Sequence, residues 1–228
     1  MCTVVVQWEP DHPLLILALR DELTGRPFDD PDEWWPDYPA VVGGRDRSAG
    51  GSWCVSDIAS GATALVLNRP QRRVAEPGAP SRGLLPLLAA AHGAEWPEYV
   101  DYQGMASFAL VLAAPDSLTE WHFDGTHLTS AALEPGTRMV TSGGAEDGKA
   151  ARFLEAFASH ADPDEWRAIV ARQQPQDDPA ALVVRHELGD LVYATVFGQV
   201  IESSPGALEL SWSRTPWTGE QWATRRWV

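Results

Sequence analysis

Two apolar runs joined by a turn open the chain and constrain its fold more than any other feature. Thr3 to Trp8 is short, apolar and β-branched, and after Pro10-Asp11-His12-Pro13 the run Leu14 to Arg20 has the same character. Runs of this length and composition read as buried strands, and the proline-bounded turn between them makes a hairpin of two central strands.

The rest of the pattern continues mostly in strands. Ser52 to Ile58 and Ala62 to Asn68 flank Ser60-Gly61 as a hairpin, and Met105 to Ala113 is a continuous apolar strand. A meander is expected next, from Leu118 to Phe123, Thr126 to Leu133 and Arg138 to Ser142, with turns at Asp124-Gly125 and Pro135-Gly136. Leu191 to Gly198, Gln199 to Ser203 and Leu208 to Ser213 close the chain as strands. Helical spacing is confined to Gly83 to His92, Lys149 to His160 and Asp162 to Gln173, the last opened by Asp162-Pro163-Asp164-Glu165. Thr24 to Gly51 and Arg69 to Ser81, rich in Pro, Gly and Asp or in Arg, read as loops. About nine or ten strands in hairpins with few helices make an α+β fold rather than an alternating one. The specific expectation is a four-layer αββα sandwich, two antiparallel sheets between helical layers, in one domain spanning 1–228.

Charge and cysteine content narrow the function. Asp and Glu number 32 against 17 Lys and Arg, a formal net charge of −15, and such a field repels phosphate backbones and anionic lipid. Nucleic acid and stable membrane insertion are therefore excluded as partners, and a small molecule is expected. The two cysteines, Cys2 and Cys54, make neither a disulfide framework nor a zinc site. No positive segment precedes Arg20, and the apolar run from Pro13 to Leu19 is too short to span a bilayer, so the chain reads as cytoplasmic. Lys149 is the single lysine, which leaves almost no candidate for Schiff-base chemistry.

Cys2 carries the chemistry. Removal of Met1 would expose it as a free amino-terminal cysteine, with an α-amine whose ordinary pKa is about 7.7–8.0 beside a thiol of about 8.5. Near neutrality that amine accepts the thiol proton, so nucleophile and base belong to one residue. If the opening strands pair about Asp11-His12, Arg20 or Asp21 falls opposite Cys2. A guanidinium there favours the thiolate, and a carboxylate fixes the ammonium.

Met1-Cys2-Thr3-Val4-Val5-Val6, the strand Leu14 to Leu19 running into Arg20-Asp21-Glu22, then Arg26-Pro27, Gly50-Gly51-Ser52-Trp53 and Leu67-Asn68 together resemble the NRDE family, typified by transport and Golgi organisation protein 2. The match is close in order and spacing over the first seventy or so residues. Phe108-Ala109-Leu110 and Pro135 to Gly143 are looser matches. The resemblance implies an N-terminal-nucleophile hydrolase fold, Cys2 as nucleophile, Arg20 and Asp21 as its neighbours, and Asn68 as oxyanion donor. It also places Trp53 among the candidate substrate contacts. Leu19, Leu23, Ala109 and Gly143 depart from the family pattern, three of them where an Asn is expected. The implied activity is hydrolysis of a non-peptide C–N bond. The alternative is a non-catalytic protein that binds haem or another apolar metabolite for transfer.

Other constellations point less sharply. His122 and His127 flank Asp124-Gly125 and, if that dipeptide is the turn, are cross-strand partners on a face that lines a pocket. No third ligand accompanies them, so no metal is expected. Trp212, Trp217, Trp222 and Trp227 read as packing residues. Met105, His122 and Cys54 have no spacing that selects them for haem, and Gly43-Gly44 and Gly50-Gly51 lack a phosphate-loop continuation, so no cofactor is expected.

Overall fold

A computed structural model describes residues 2–69, 75–219 and 222–228. Part of the loop expected between Arg69 and Ser81, positions 70–74, lies outside them. The early strands are β1 (Thr3–Trp8), β2 (Leu14–Leu23), β3 (Phe28–Asp32), β4 (Val41–Asp46), β5 (Cys54–Asp57) and β6 (Thr63–Asn68). Helix α1 (Leu85–His92) and a 3-10 segment, Gly93–Tyr99, lead into β7 (Phe108–Ala114), β8 (Ser117–Phe123), β9 (Leu128–Ala132) and β10 (Gly136–Thr141). Helices α2 (Lys149–Ala158) and α3 (Pro163–Ala171) precede β11 (Arg185–Leu188), β12 (Leu191–Ser204), β13 (Ala207–Ser213) and β14 (Ala223–Trp227). The fold is α+β and dominated by strands, in two antiparallel sheets. Among the described residues no helix is long and apolar enough to cross a membrane.

The chain forms two compact units that interleave in sequence. One comprises Met1–Arg26, Pro135–Glu202 and Leu208–Trp227; the other comprises Pro27–Glu134, Ser203–Ala207 and Val228.

In the first unit the sheet runs β10-β1-β2-β12-β13-β14, with β11 paired to β12. The opening hairpin forms as its sequence dictates: Thr3 pairs with Leu19 and Gln7 with Leu15, and Asp11 takes a left-handed φ of 63° in the turn. Val5, Leu15, Leu17 and Leu19 lie on one face, packed against Phe153 and Phe157 of α2 and Trp166, Ile169 and Val170 of α3. Asp162 caps α3 by accepting from the N–H groups of Asp164 and Glu165 at 2.9 and 3.0 Å. The Trp166 indole donates to the Phe157 carbonyl at 3.1 Å, so its polar edge is satisfied inside the core.

The second unit is a meander, β3 to β9 in sequence order. The register stacks Val66, Leu110 and Trp121 across three neighbouring strands. They join Val41, Val55, Phe108 and Phe123 in a core closed by Leu85 and Leu88 of α1 and by Trp96.

Several expectations change. The segment from Thr24 to Gly51 holds two strands, because β3 is an edge strand, where Pro31 removes no interior ladder bond and a register shift between Asp29 and Asp32 absorbs the irregularity. The meander ends at β9, and β10 instead joins the other sheet, pairing with β1 from Thr3↔Thr141 to Trp8↔Gly136. Gly198-Gln199 interrupts nothing: β12 is one strand of 14 residues. A Cβ on Gly198 would lie 2.9 Å from Pro216 and 3.1 Å from a Leu19 methyl, so this glycine serves close packing rather than a turn. β11 and β14 carry charged residues in short exposed strands, which is why their pattern did not read as strand.

Candidate active site around Cys2

Cys2 lies one step before β1, and the register of the hairpin sets it opposite Arg20. A second tie comes from the end of β10. The Cys2 backbone N donates to Ser142 Oγ at 2.7 Å, and the Ser142 N–H donates back to the Cys2 carbonyl at 3.0 Å. Cys2 is thus tied at both backbone groups to Ser142, just after β10, while its neighbour Thr3 pairs with Leu19 of β2, although the residue itself is only partly buried. Burial pushes its thiol above the ordinary cysteine range. The Asp21 charge adds to that rise, whereas the Asp21 backbone N–H, directed at the sulfur, and the Arg20 guanidinium oppose it.

Arg20 and Asp21 are both buried, at 4% and 3% exposure. Arg20 Nη2 stands 3.6 Å from Glu22 Oε2, and Glu22 also meets Arg26 Nε at 3.8 Å, so this charge cluster is organised. Asp21 faces inward. Its Oδ1 accepts from the Thr195 hydroxyl at 2.6 Å, its carbonyl accepts from Tyr193 at 2.8 Å, and its Oδ2 is 3.6 Å from Lys149 Nζ. Lys149 in turn donates to Thr3 Oγ1 at 3.1 Å. Burial pushes the Asp21 carboxyl up; Lys149 and the Thr195 hydroxyl pull it down.

The structure places Arg20 and Asp21 near Cys2, as the hairpin register predicts, and adds Ser142, Lys149 and Thr195, which the sequence reading does not assign to the site. Lys149, the single lysine, is wholly buried beside Asp21. The signals were present: Ser142 falls in the segment that resembles the family, and Thr3 is a polar residue in an apolar run.

The family model for Transport and Golgi organisation 2 matches residues 1–158. The chain belongs to this family. The match takes in Cys2, Arg20, Asp21, Ser142 and Lys149 and ends with α2, so Thr195 and Tyr193 come from sequence beyond it. Curated proteins give no match to the chain.

The remaining family-derived and sequence-derived candidates all belong to the second unit. Asn68 is the exposed last residue of β6. Trp53 packs edge-on against Phe28, ring centroids 5.6 Å apart, over Gly44, where any Cβ would collide with the indole at 2.5 Å. Gly44 in β4 is therefore a seat for Trp53. His122 meets Glu120 at 2.9 Å and pairs across the ladder with Thr129, not with His127. The turn has four residues, 124–127, because Asp124 accepts from the N–H groups of Thr126 and His127 at 2.7 and 2.8 Å. Trp217 and Trp222 of the C-terminal tail pack against the helix-covered core of the first unit.

Proposed function

We propose that this member of the Transport and Golgi organisation 2 family is an N-terminal-nucleophile amidohydrolase whose nucleophile is Cys2. The reading carries with it the four-layer αββα sandwich in one domain of residues 1–228. Two antiparallel sheets, each with an apolar face packed on helices, support that architecture.

The observation that carries the proposal is the fixed Cys2 nitrogen. Held at 2.7 Å from Ser142 Oγ, it becomes the α-amine once Met1 is removed, already oriented by the sheet. A thiol pushed up by burial is no nucleophile without a proton acceptor beside it, and the released amine supplies one. The amine takes the thiol proton and the sulfur attacks the carbonyl of a small amide. The ammonium then protonates the departing nitrogen as the C–N bond breaks, leaving a thioester. Water, deprotonated by the same amine, attacks the thioester; the acid leaves and the thiol is restored. Arg20 favours the thiolate.

Intact mass of the purified protein decides the first requirement: the expected mass lacks Met1, and retention of Met1 overturns the proposal. With a small thiol electrophile near neutral pH, Cys2 should be labelled much faster than Cys54, which is 1% exposed. Equal slow labelling of both would count against activation.

A further inference from the structure

The most unusual side chain in the first unit is one the reaction above does not use. Lys149 is the only lysine of the chain, has no exposed surface, and is the first residue of α2. Each circumstance is unfavourable to an ammonium. Lysines are almost never fully buried unless paired, and a helix amino terminus repels positive charge. What holds it there is the Asp21 carboxylate at 3.6 Å, itself without side-chain exposure, and the Thr3 hydroxyl at 3.1 Å.

The elements around the pair contribute a short set of groups. β1 supplies Thr3, with Cys2 just before it; β2 supplies Arg20, engaged with Glu22; β12 supplies Thr195 and Tyr193. Asp147, just before α2, accepts from the Lys149 backbone N–H at 3.0 Å. Lys149 is the cation whose side chain the structure sets against the Asp21 carboxylate. The Thr195 hydroxyl bonds the other oxygen and so fixes the carboxylate plane.

We propose that Lys149 is a positioning residue of the Cys2 site: its ammonium favours the ionised form of Asp21 between sheet and helix, and so the negative charge that Asp21 presents beside the mature amino terminus. This rests on the reading of Cys2 as nucleophile. An Asp21 carboxylate orients a terminal ammonium and lets it return its proton to the leaving group; a protonated Asp21 would do neither. Lys149 touches neither substrate nor sulfur in this role and acts through Asp21.

The test is a titration of Asp21 in the intact protein, read by carbon NMR of labelled aspartate side chains, with Asp21→Asn identifying the signal. In Lys149→Met the Asp21 midpoint should rise by about 1–3 pH units relative to the parent, the size of a lost neighbouring opposite charge. Lys149→Arg should restore it to near the parent value. An unchanged midpoint in folded Lys149→Met overturns the proposal, as does failure of the arginine variant to restore it. If Lys149→Met does not fold, Lys149→Met/Asp21→Asn decides. Removing both charges should recover folding if charge pairing is the role, and failure of the double variant would show that Lys149 serves packing instead. The mass and labelling experiments report on Cys2 alone, so a nucleophile reading that fails there leaves the Asp21 titration to stand or fall separately.

Discussion

The two units solve the same packing problem with different materials. Each covers one face of a seven-stranded sheet, counted among the described residues, with helical segments. In the second unit the contact is aromatic and aliphatic: Trp96 meets Trp121 and Phe108 with ring centroids 5.8 and 6.2 Å apart, and Phe108 meets Phe123 at 5.4 Å. In the first unit the apolar layer of Leu17, Phe157 and Trp166 adjoins a buried carboxylate, ammonium and two hydroxyls. Apolar burial is non-directional and tolerant, whereas a buried ion pair stabilises only while both partners and their hydrogen bonds are in place. The more demanding arrangement sits beside Cys2, which is where function rather than stability would retain it.

Four experiments would break or sharpen that contrast. The largest effect is expected from Lys149→Met, which takes the ammonium away from Asp21 and should cost about 3–5 kcal/mol in urea unfolding, most of it recovered when Asp21→Asn is added. Recovery of nothing would erase the distinction between the two interiors. In the second unit Leu110→Ala, at a fully buried position, should cost about 2–5 kcal/mol through lost transfer energy and the cavity left behind. That loss should be insensitive to pH, unlike the first.

Third in size is a pH effect isolated by comparing the parent with Asp21→Asn. The folded state raises the Asp21 pKa, so its contribution is most favourable below the ordinary carboxylate value and is lost as pH rises through the raised value. The stability difference, parent minus variant, should therefore fall as pH climbs from about 4, the unfolded carboxylate range, and then level off. A difference that grows with pH would mean that pairing outweighs burial. The smallest effect is expected from Gln199→Met. Gln199 is fully buried, and neither polar atom of its side chain has a hydrogen-bond partner among the described residues. Replacing it should raise stability by about 1 kcal/mol in thermal unfolding. A loss instead would show that the amide is satisfied in solution.

Much of this was legible in the sequence where local chemistry decides structure. The β1–β2 hairpin, the Asp162 cap and the buried strands β6 and β7 all follow from short-range patterns. What was not legible depends on distant partners. β3 looked like loop because Pro and Asp are turn residues unless an edge position makes them harmless. β10 looked like the next strand of a meander because nothing local says that its partner is β1. At the site, Arg20 and Asp21 are legible because they directly follow the apolar run of β2 and lie within that strand. Lys149 and Thr195 reach Asp21 from 128 and 174 positions away, and no spacing rule links them.

The bond between Cys2 and Ser142 spans 140 positions of sequence. A ribosome adding about 5–20 residues per second needs about 7–28 s to make that stretch. While β1 and β2 emerge, their flanking strands β10 and β12 do not yet exist. During that interval the first residues have no β10 to bind them and stay open to enzymes that trim new chains. On the proposed reading, removal of Met1 falls in that interval, before β10 binds the terminus, and a chain that escapes trimming carries the extra residue into a terminus held by β10.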